Sequence, residues 1–254
     1  MRFIKSFVAA AALAVSASAF ATPVSGTSLQ NQINNLYGGV GASSVSSAPN
    51  VQTDQAAESG LFQIEVSATA SASIVFELAG FAPTTTFGIY DPNAIGTKLE
   101  LFNGAAGPGV KKELTLSLGN LFTTYRFDPL VPPFAFDVSS AAFSTSTFGY
   151  YIKTPNDIFY SQAYLNGGDD HMVAYQGVGD TIRLPGAPAN SFWGSESYLL
   201  AWEDLPLAGS DKDYDDLGVY VTLVKPVPEP GSLALLGLGL AGLAAASRRK
   251  QKQA

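Results

Sequence analysis

The chain has 254 residues, 46% of them hydrophobic and only 14% charged, with no cysteine and a net charge of -7. That composition excludes a disulfide scaffold, a thiol nucleophile and Cys-ligated zinc, so an apolar core has to hold the fold. Six of the fourteen basic residues (Arg2, Lys5, Arg248, Arg249, Lys250 and Lys252) lie in the terminal segments; setting them aside leaves eight against 21 acidic residues, a net of -13 that repels nucleic acid and suits cations.

At the N-terminus a basic start, Met1-Arg2-Phe3-Ile4-Lys5, precedes an apolar run over 7–15 and small residues ending Ala19-Phe20-Ala21. This pattern predicts a signal helix, residues 1–21, removed by signal peptidase before Thr22. A short helix and a linker are expected over 22–59. Leu29, Ile33, Leu36 and Tyr37 recur at helical spacing, with Ser28 placed to cap them and Gly38-Gly39 to end them. Residues 41–59 are rich in Ser, Ala and Gln and read as a loop or linker.

Over 60–225 a period of two takes over. Phe62-Gln63-Ile64-Glu65-Val66, Leu99-Glu100-Leu101 and Leu114-Thr115-Leu116-Ser117-Leu118 alternate apolar with polar. Further strands are expected around Phe76, Ile89, Phe127, Phe136, Tyr151, Phe159, Val173, Ile182, Leu199 and Val221. Turn residues such as Asp91-Pro92-Asn93 and Asn166-Gly167-Gly168-Asp169 separate them. Many short strands at this spacing predict one all-β domain, an antiparallel β-sandwich or jelly roll. His171 is expected as a satisfied structural residue entering a strand. Trp193 and Trp202 are candidates for a sugar-stacking face, although aromatics in a β-sandwich are more often core.

The densest chemistry lies at 203–216, where Glu203, Asp204, Asp211, Asp213, Asp215 and Asp216 place six carboxylates in fourteen residues. Such a cluster repels itself unless a cation or hydrogen bonds compensate it. Asp211, Asp213 and Asp215 alternate, as ligands do in the first half of an EF-hand loop. The loop is not an EF-hand, because Asp216 stands where glycine is required and Thr222 where the bidentate Glu belongs. Two readings are open: calcium held by Asp211, Asp213, Asp215 and Asp216 with Glu203 or Asp204 assisting, or a turn whose aspartates accept backbone N–H groups. The Glu-Asp pair, the loop and the Asp-x-Asp-aromatic-x-Asp turn resemble a bacterial extracellular domain family of unknown function. Phe148-Gly149-Tyr150-Tyr151, Phe159-Tyr160-Ser161 and Asn166 leading to Asp170-His171-Met172-Val173-Ala174-Tyr175 extend the likeness over about 145–224. That family usually has Asn where Asp215 stands, and its members often accompany calcium-rich secreted proteins.

The C-terminal segment, 226–254, has three parts: Val227-Pro228-Glu229-Pro230, an apolar stretch over 233–246, and the cluster Arg248-Arg249-Lys250. The stretch is shorter than the ~20 residues usual for a stable transmembrane helix, and the basic cluster keeps its end cytoplasmic. This tripartite end resembles the PEP-CTERM sorting signal of Gram-negative bacteria. The resemblance implies handling by exosortase, a membrane transpeptidase that removes the span, after transient anchoring in the inner membrane. It also implies a cell-surface or matrix location alongside exopolysaccharide and biofilm systems. No G-x-S-x-G, H-E-x-x-H or G-x-x-x-x-G-K-[ST] motif is present. The expectation is a non-enzymatic surface or matrix protein, with calcium as the one cofactor suggested. A carbohydrate-binding module is the alternative, and a hydrolase built on a carboxylate pair a third reading.

Overall fold

The computed structural model describes residues 22–38, 48–56, 60–64, 68–77, 84–127 and 135–227, with position 239 alone beyond them. The expected signal helix and the apolar span at 233–246 therefore lie outside the described residues, apart from that single position. Among the described residues no helix is long and apolar enough to cross a membrane.

The expected helix forms as α1 (Ser28–Gly38) and buries Leu29, Ile33, Leu36 and Tyr37 on one face. The Ser28 hydroxyl does not cap it; that hydroxyl donates instead to Asp215 Oδ2, far along the chain. Every expected strand centre lies in a strand. In chain order these are β1 (Leu61–Gln63), β2 (Thr69–Glu77), β3 (Thr86–Asp91), β4 (Ala94–Phe102) and β5 (Lys111–Ser117). Then come β6 (Leu121–Phe127), β7 (Ala135–Ala142), β8 (Thr147–Lys153), β9 (Ile158–Tyr160) and β10 (Met172–Gln176). The series ends with β11 (Asp180–Ile182), β12 (Ser191–Trp193), β13 (Ser197–Trp202), β14 (Leu217–Thr222) and β15 (Lys225–Pro226).

All pairings are antiparallel. One sheet runs β15-β1-β8-β3-β4, with β9 sharing the β1 edge of β8, and the other runs β10-β13-β14-β2-β5-β6-β7. Their inner faces interdigitate in a core where Phe62 meets Tyr198, Phe87 meets the edge of Trp202 and Phe122 meets Phe148. That is a β-sandwich, as the alternation predicts.

A third layer covers half of the larger sheet. Val75, Phe76, Val173, Tyr175, Leu199, Ala201 and Tyr220 point away from the inter-sheet core and pack against α1, Val24, Val51, Ile182 and Trp193. Residues 48–56, within the stretch expected as a linker, belong to this layer: Val51 is buried and the Ala56 amide donates to Ala174 O at 2.7 Å. Burial on both faces explains why β13 is buried at all six positions and loses the period-two pattern.

The smaller sheet has its own outer patch of Tyr90, Tyr151 and Tyr160. Tyr90 pairs in register with Gly149, and Tyr151 with Gly88, so each ring lies across a glycine of the neighbouring strand. A Cβ added at Gly149 would fall on the Tyr90 ring, whose hydroxyl is held by Gln162 Oε1 at 2.9 Å. Gly149→Ala should therefore destabilise the fold by about 1–3 kcal/mol, read as a drop of about 2–4 °C per kcal/mol in thermal melting. The loss should be largely relieved when Tyr90 is cut to Ala in the same chain; additive losses in the double variant would refute the contact.

Candidate functional site

Strand β13 carries the site to its place. Trp202 pairs with Met172, and the ladder runs one step further: the Glu203 amide donates to His171 O at 3.1 Å, while His171 Nδ1 lies 3.2 Å from Glu203 O. His171 is 2% exposed, stacks on Phe159 at 3.8 Å, and burial lowers its pKa. It is a structural residue in this setting, with neither ring face open to solvent.

The chain then leaves the sheet, turns through 205–210 and returns as the acidic run. Lys212 (φ 60°) and Tyr214 (φ 56°) both adopt the left-handed region, which costs a residue with a Cβ on the order of 1 kcal/mol. Three bonds hold this shape: Tyr214 N–H to Glu203 Oε1 (2.9 Å), Tyr214 Oη–H to Asp170 O (2.6 Å) and Ser25 N–H to Lys212 O (2.7 Å).

The fold sorts the six predicted carboxylates into two groups. Glu203, Asp211 and Asp213 each bring an oxygen within 4.8 Å of the others. Two of the remainder, Asp215 and Asp216, have other partners. Asp216 Oδ2 accepts the Asp204 amide at 2.9 Å, and Asp215 accepts the Ser28 hydroxyl. Glu203, read from sequence as an assisting residue, is a full member of the group and is fully buried. Among the described residues its Oε2 finds no hydrogen-bond partner, and neither does Asp204 Oδ2. Burial drives the Glu203 carboxyl above its ordinary pKa, against the pull of the Tyr214 N–H. Burial likewise comes first for Asp213, which is pushed up to about 7 with the Asp215 carboxyl adding to it. Asp216 is pushed up to about 8 by burial and by the charges of Asp204, Glu203 and Asp213. The site is electron-rich, undercompensated and built of hard oxygen donors, which matches a hard divalent cation.

The tryptophan face does not exist. Trp193 is 1% exposed, with its Nε1–H donating to Ser197 O at 3.1 Å, and Trp202 is fully buried between the sheets. Sequence reading missed Phe192, whose ring is 69% exposed beside a groove of about 520 Å³. The groove lies between the outer face of β2, β5 and β14 and the loop at 184–192, and Ser71, Ser73, Lys111, Asn190 and Thr222 line it with polar groups. The only signal in the sequence was alternation within Ser191-Phe192-Trp193, where one aromatic must face inward and its neighbour outward.

Of the predicted sorting residues, Val227 is the last described before the tail, and its amide donates to Leu61 O at 2.8 Å. Pro228, Glu229, Pro230, Arg248, Arg249 and Lys250 lie outside the described residues. Residues 226–250 match the PEP-CTERM protein-sorting motif. No curated protein and no solved structure matches the chain. A PEP-CTERM tail implies exosortase processing, export and surface sorting in Gram-negative bacteria.

The raised carboxyls fix a pH response. Asp213 and Asp216 hold protons in the folded chain that the unfolded chain releases near pH 4. The stability so gained is complete below that pH and is lost as pH climbs through about 7 to 8. Asp216→Asn keeps an oxygen for the Asp204 amide and removes the charge. In metal-free buffer it should melt above the wild type at pH 8 and close to it at pH 5. His171 titrates in the opposite sense, so the difference between the two proteins is the quantity to read. Parallel pH profiles would show that no repulsion acts at Asp216.

Proposed function

We propose that this chain is a non-enzymatic protein of the cell surface or extracellular matrix, associated with exopolysaccharide, whose domain is stabilised by calcium at Glu203, Asp211 and Asp213. The export half of the reading is supported by the sorting motif at 226–250. The calcium half rests on one observation: Glu203, a fully buried carboxylate with one oxygen lacking a hydrogen-bond partner among the described residues, brings an oxygen within 4.8 Å of carboxylate oxygens of Asp211 and Asp213. An ionised carboxylate is rarely buried without a partner, and a divalent ion supplies that partner. Three protein carboxylates leave room for water in a six- to eight-fold oxygen shell. The ion would join the end of β13 to the acidic run, a structural role with no reacting group in reach. The turn that frames the site is the feature that resembles an extracellular domain family of unknown function.

Calcium at 100 times its Kd should stabilise the fold by about 2.7 kcal/mol, and a chelator should reverse the effect. At about 2–4 °C per kcal/mol this is a shift of several degrees in thermal unfolding. Glu203→Gln, whose Oε1 still accepts the Tyr214 amide, should abolish the shift while preserving the fold. An undiminished shift in that variant, or none in the wild type, would sink the calcium reading. Export is checked separately by intact mass: the surface form should lack residues 1–21 and the segment 233–246.

A second reading, a carbohydrate-binding module, is favoured by the groove beside Phe192. An exposed ring next to hydroxyl and amide groups is the pairing that stacks and hydrogen-bonds a sugar. Retention on polysaccharide affinity gels should be lost in Phe192→Ala with the melting point unchanged. Equal migration of variant and wild type through every gel tested would leave the groove without this role.

A further inference from the structure

Thr22 is the residue that comes directly after the A-x-A exit, and it is held unusually well for a chain end. Its N–H donates to Gln55 Oε1 at 2.8 Å, and Gln55 Nε2 returns a bond to Thr22 O at 2.7 Å. The Thr22 hydroxyl donates to Asp170 Oδ2 at 2.6 Å, across 148 residues of chain. Gln55 is itself fixed, since the same Nε2 reaches Val51 O at 2.9 Å. Val24, two residues on, is buried in the third layer, and Ser25 and Ser28 continue the attachment to Lys212 and Asp215.

Among the described residues Asp170 has no counter-charge. Its Oδ1 accepts the Met172 amide at 3.3 Å and its Oδ2 the Thr22 hydroxyl. No ion pair to it is found among the described residues. Burial raises its pKa against these two donors. A carboxylate in that setting gains most from a nearby cation, and none of the described basic side chains supplies one.

We infer that the structure contains a docking site for the primary α-ammonium of Thr22, formed by Gln55 and Asp170 and filled once the Ala21–Thr22 bond is cut. Hydrolysis adds water across that peptide bond, leaving a carboxylate on Ala21 and an amine on Thr22 that takes up a proton. The nitrogen passes from one N–H donor and no charge to three donors and a positive charge. One donor keeps Gln55, and the new charge faces Asp170 through the side chain that Thr22 already places there. Removal of the signal peptide thus completes a charge pair, and the mature chain is more stable than any form with residues left before Thr22. The inference rests on the signal-peptide reading and is independent of the calcium reading.

The test compares the mature chain starting at Thr22 with the same chain retaining Ala21, each with and without Asp170→Asn. Mass of the exported protein first fixes the natural start; a start other than Thr22 would overturn the cleavage premise rather than the docking geometry. The Thr22 form should melt about 3–6 °C above the Ala21 form at neutral pH, and Asp170→Asn should erase the difference. Equal melting of the two wild-type forms, or an equal gap in the Asn pair, would overturn the site. Should the Asn variants fail to fold, acylation of the α-amine by an amine-selective reagent decides the matter. The Thr22 amine should react at least several-fold slower than the Ala21 amine, and equal rates would refute capture.

Discussion

Burial of one sheet from both sides is the constraint on which the placement of the other parts depends. The strands β10, β13, β14 and β2 carry the inter-sheet core on one face and the third layer on the other. Each fully buried large apolar side chain contributes roughly 1.5–3 kcal/mol, so a strand used on both faces gains twice from one backbone. Such a strand has no solvated face on which to place a charge. Charged residues are displaced to its ends, where the ladder stops and the chain turns. Glu203 stands at such an end, one step beyond the last pair of β13, and is carried inside by the strand that precedes it.

The fate of that carboxylate is decided by magnitudes. Effective desolvation of a buried ion amounts to several kcal/mol, whereas one hydrogen bond to a charged acceptor returns about 1.5–3. Against that cost stand the Tyr214 amide at 2.9 Å and weaker help from the Ser210 hydroxyl and the Asp213 amide, while Asp211 worsens the balance by repulsion. Either a proton or a cation offsets the remainder. At low pH protons do so, which is why the neighbouring aspartates sit above their ordinary range. At higher pH that compensation is lost, and the proposed calcium ion would supply it. Two left-handed residues, Lys212 and Tyr214, are held in the same turn, so the cluster is a maintained arrangement rather than a slack loop.

The sequence made some of this legible and hid the rest for identifiable reasons. Leu29, Ile33, Leu36 and Tyr37 announced α1 because a helix with one buried face keeps its period. Residues 111–117 announced β5 because that strand has one wet face, alternating exposed and buried. β13 offered no alternation, since both faces are buried, and so no way to tell which way Trp202 points. The acidic run was conspicuous in composition, but only the register of β13 against β10 shows that Glu203 is inside and that Asp216 turns to the Asp204 amide. Residues 48–56 looked like a linker because their partners, Thr22, Val24 and Gln30 on one side and Ala174 and Tyr175 on the other, are distant in the chain and leave no local pattern. Phe192 and Trp193 could be separated only by knowing which side of β12 faces α1.

The two ends of the domain are secured differently, and the difference comes from chain chemistry. Residues 22–28 enter through side-chain hydrogen bonds to Gln55, Asp170 and Asp215, all of which need the tertiary fold to exist first. The C-terminal end leaves through backbone pairing, Pro226 opposite Phe62 and the Val227 amide on Leu61 O, with an ion pair from Lys225 to Glu196 beside it. Proline offers no N–H to a further ladder and is confined to sheet edges, so β15 is a stopping place as well as a strand. Pro228 and Pro230 come at once after it. Neither proline has an N–H to donate, so neither can extend the β15 ladder. The described members of both cores lie within residues 24–224, so the backbone pairing of Pro226 and Val227 stands outside either core.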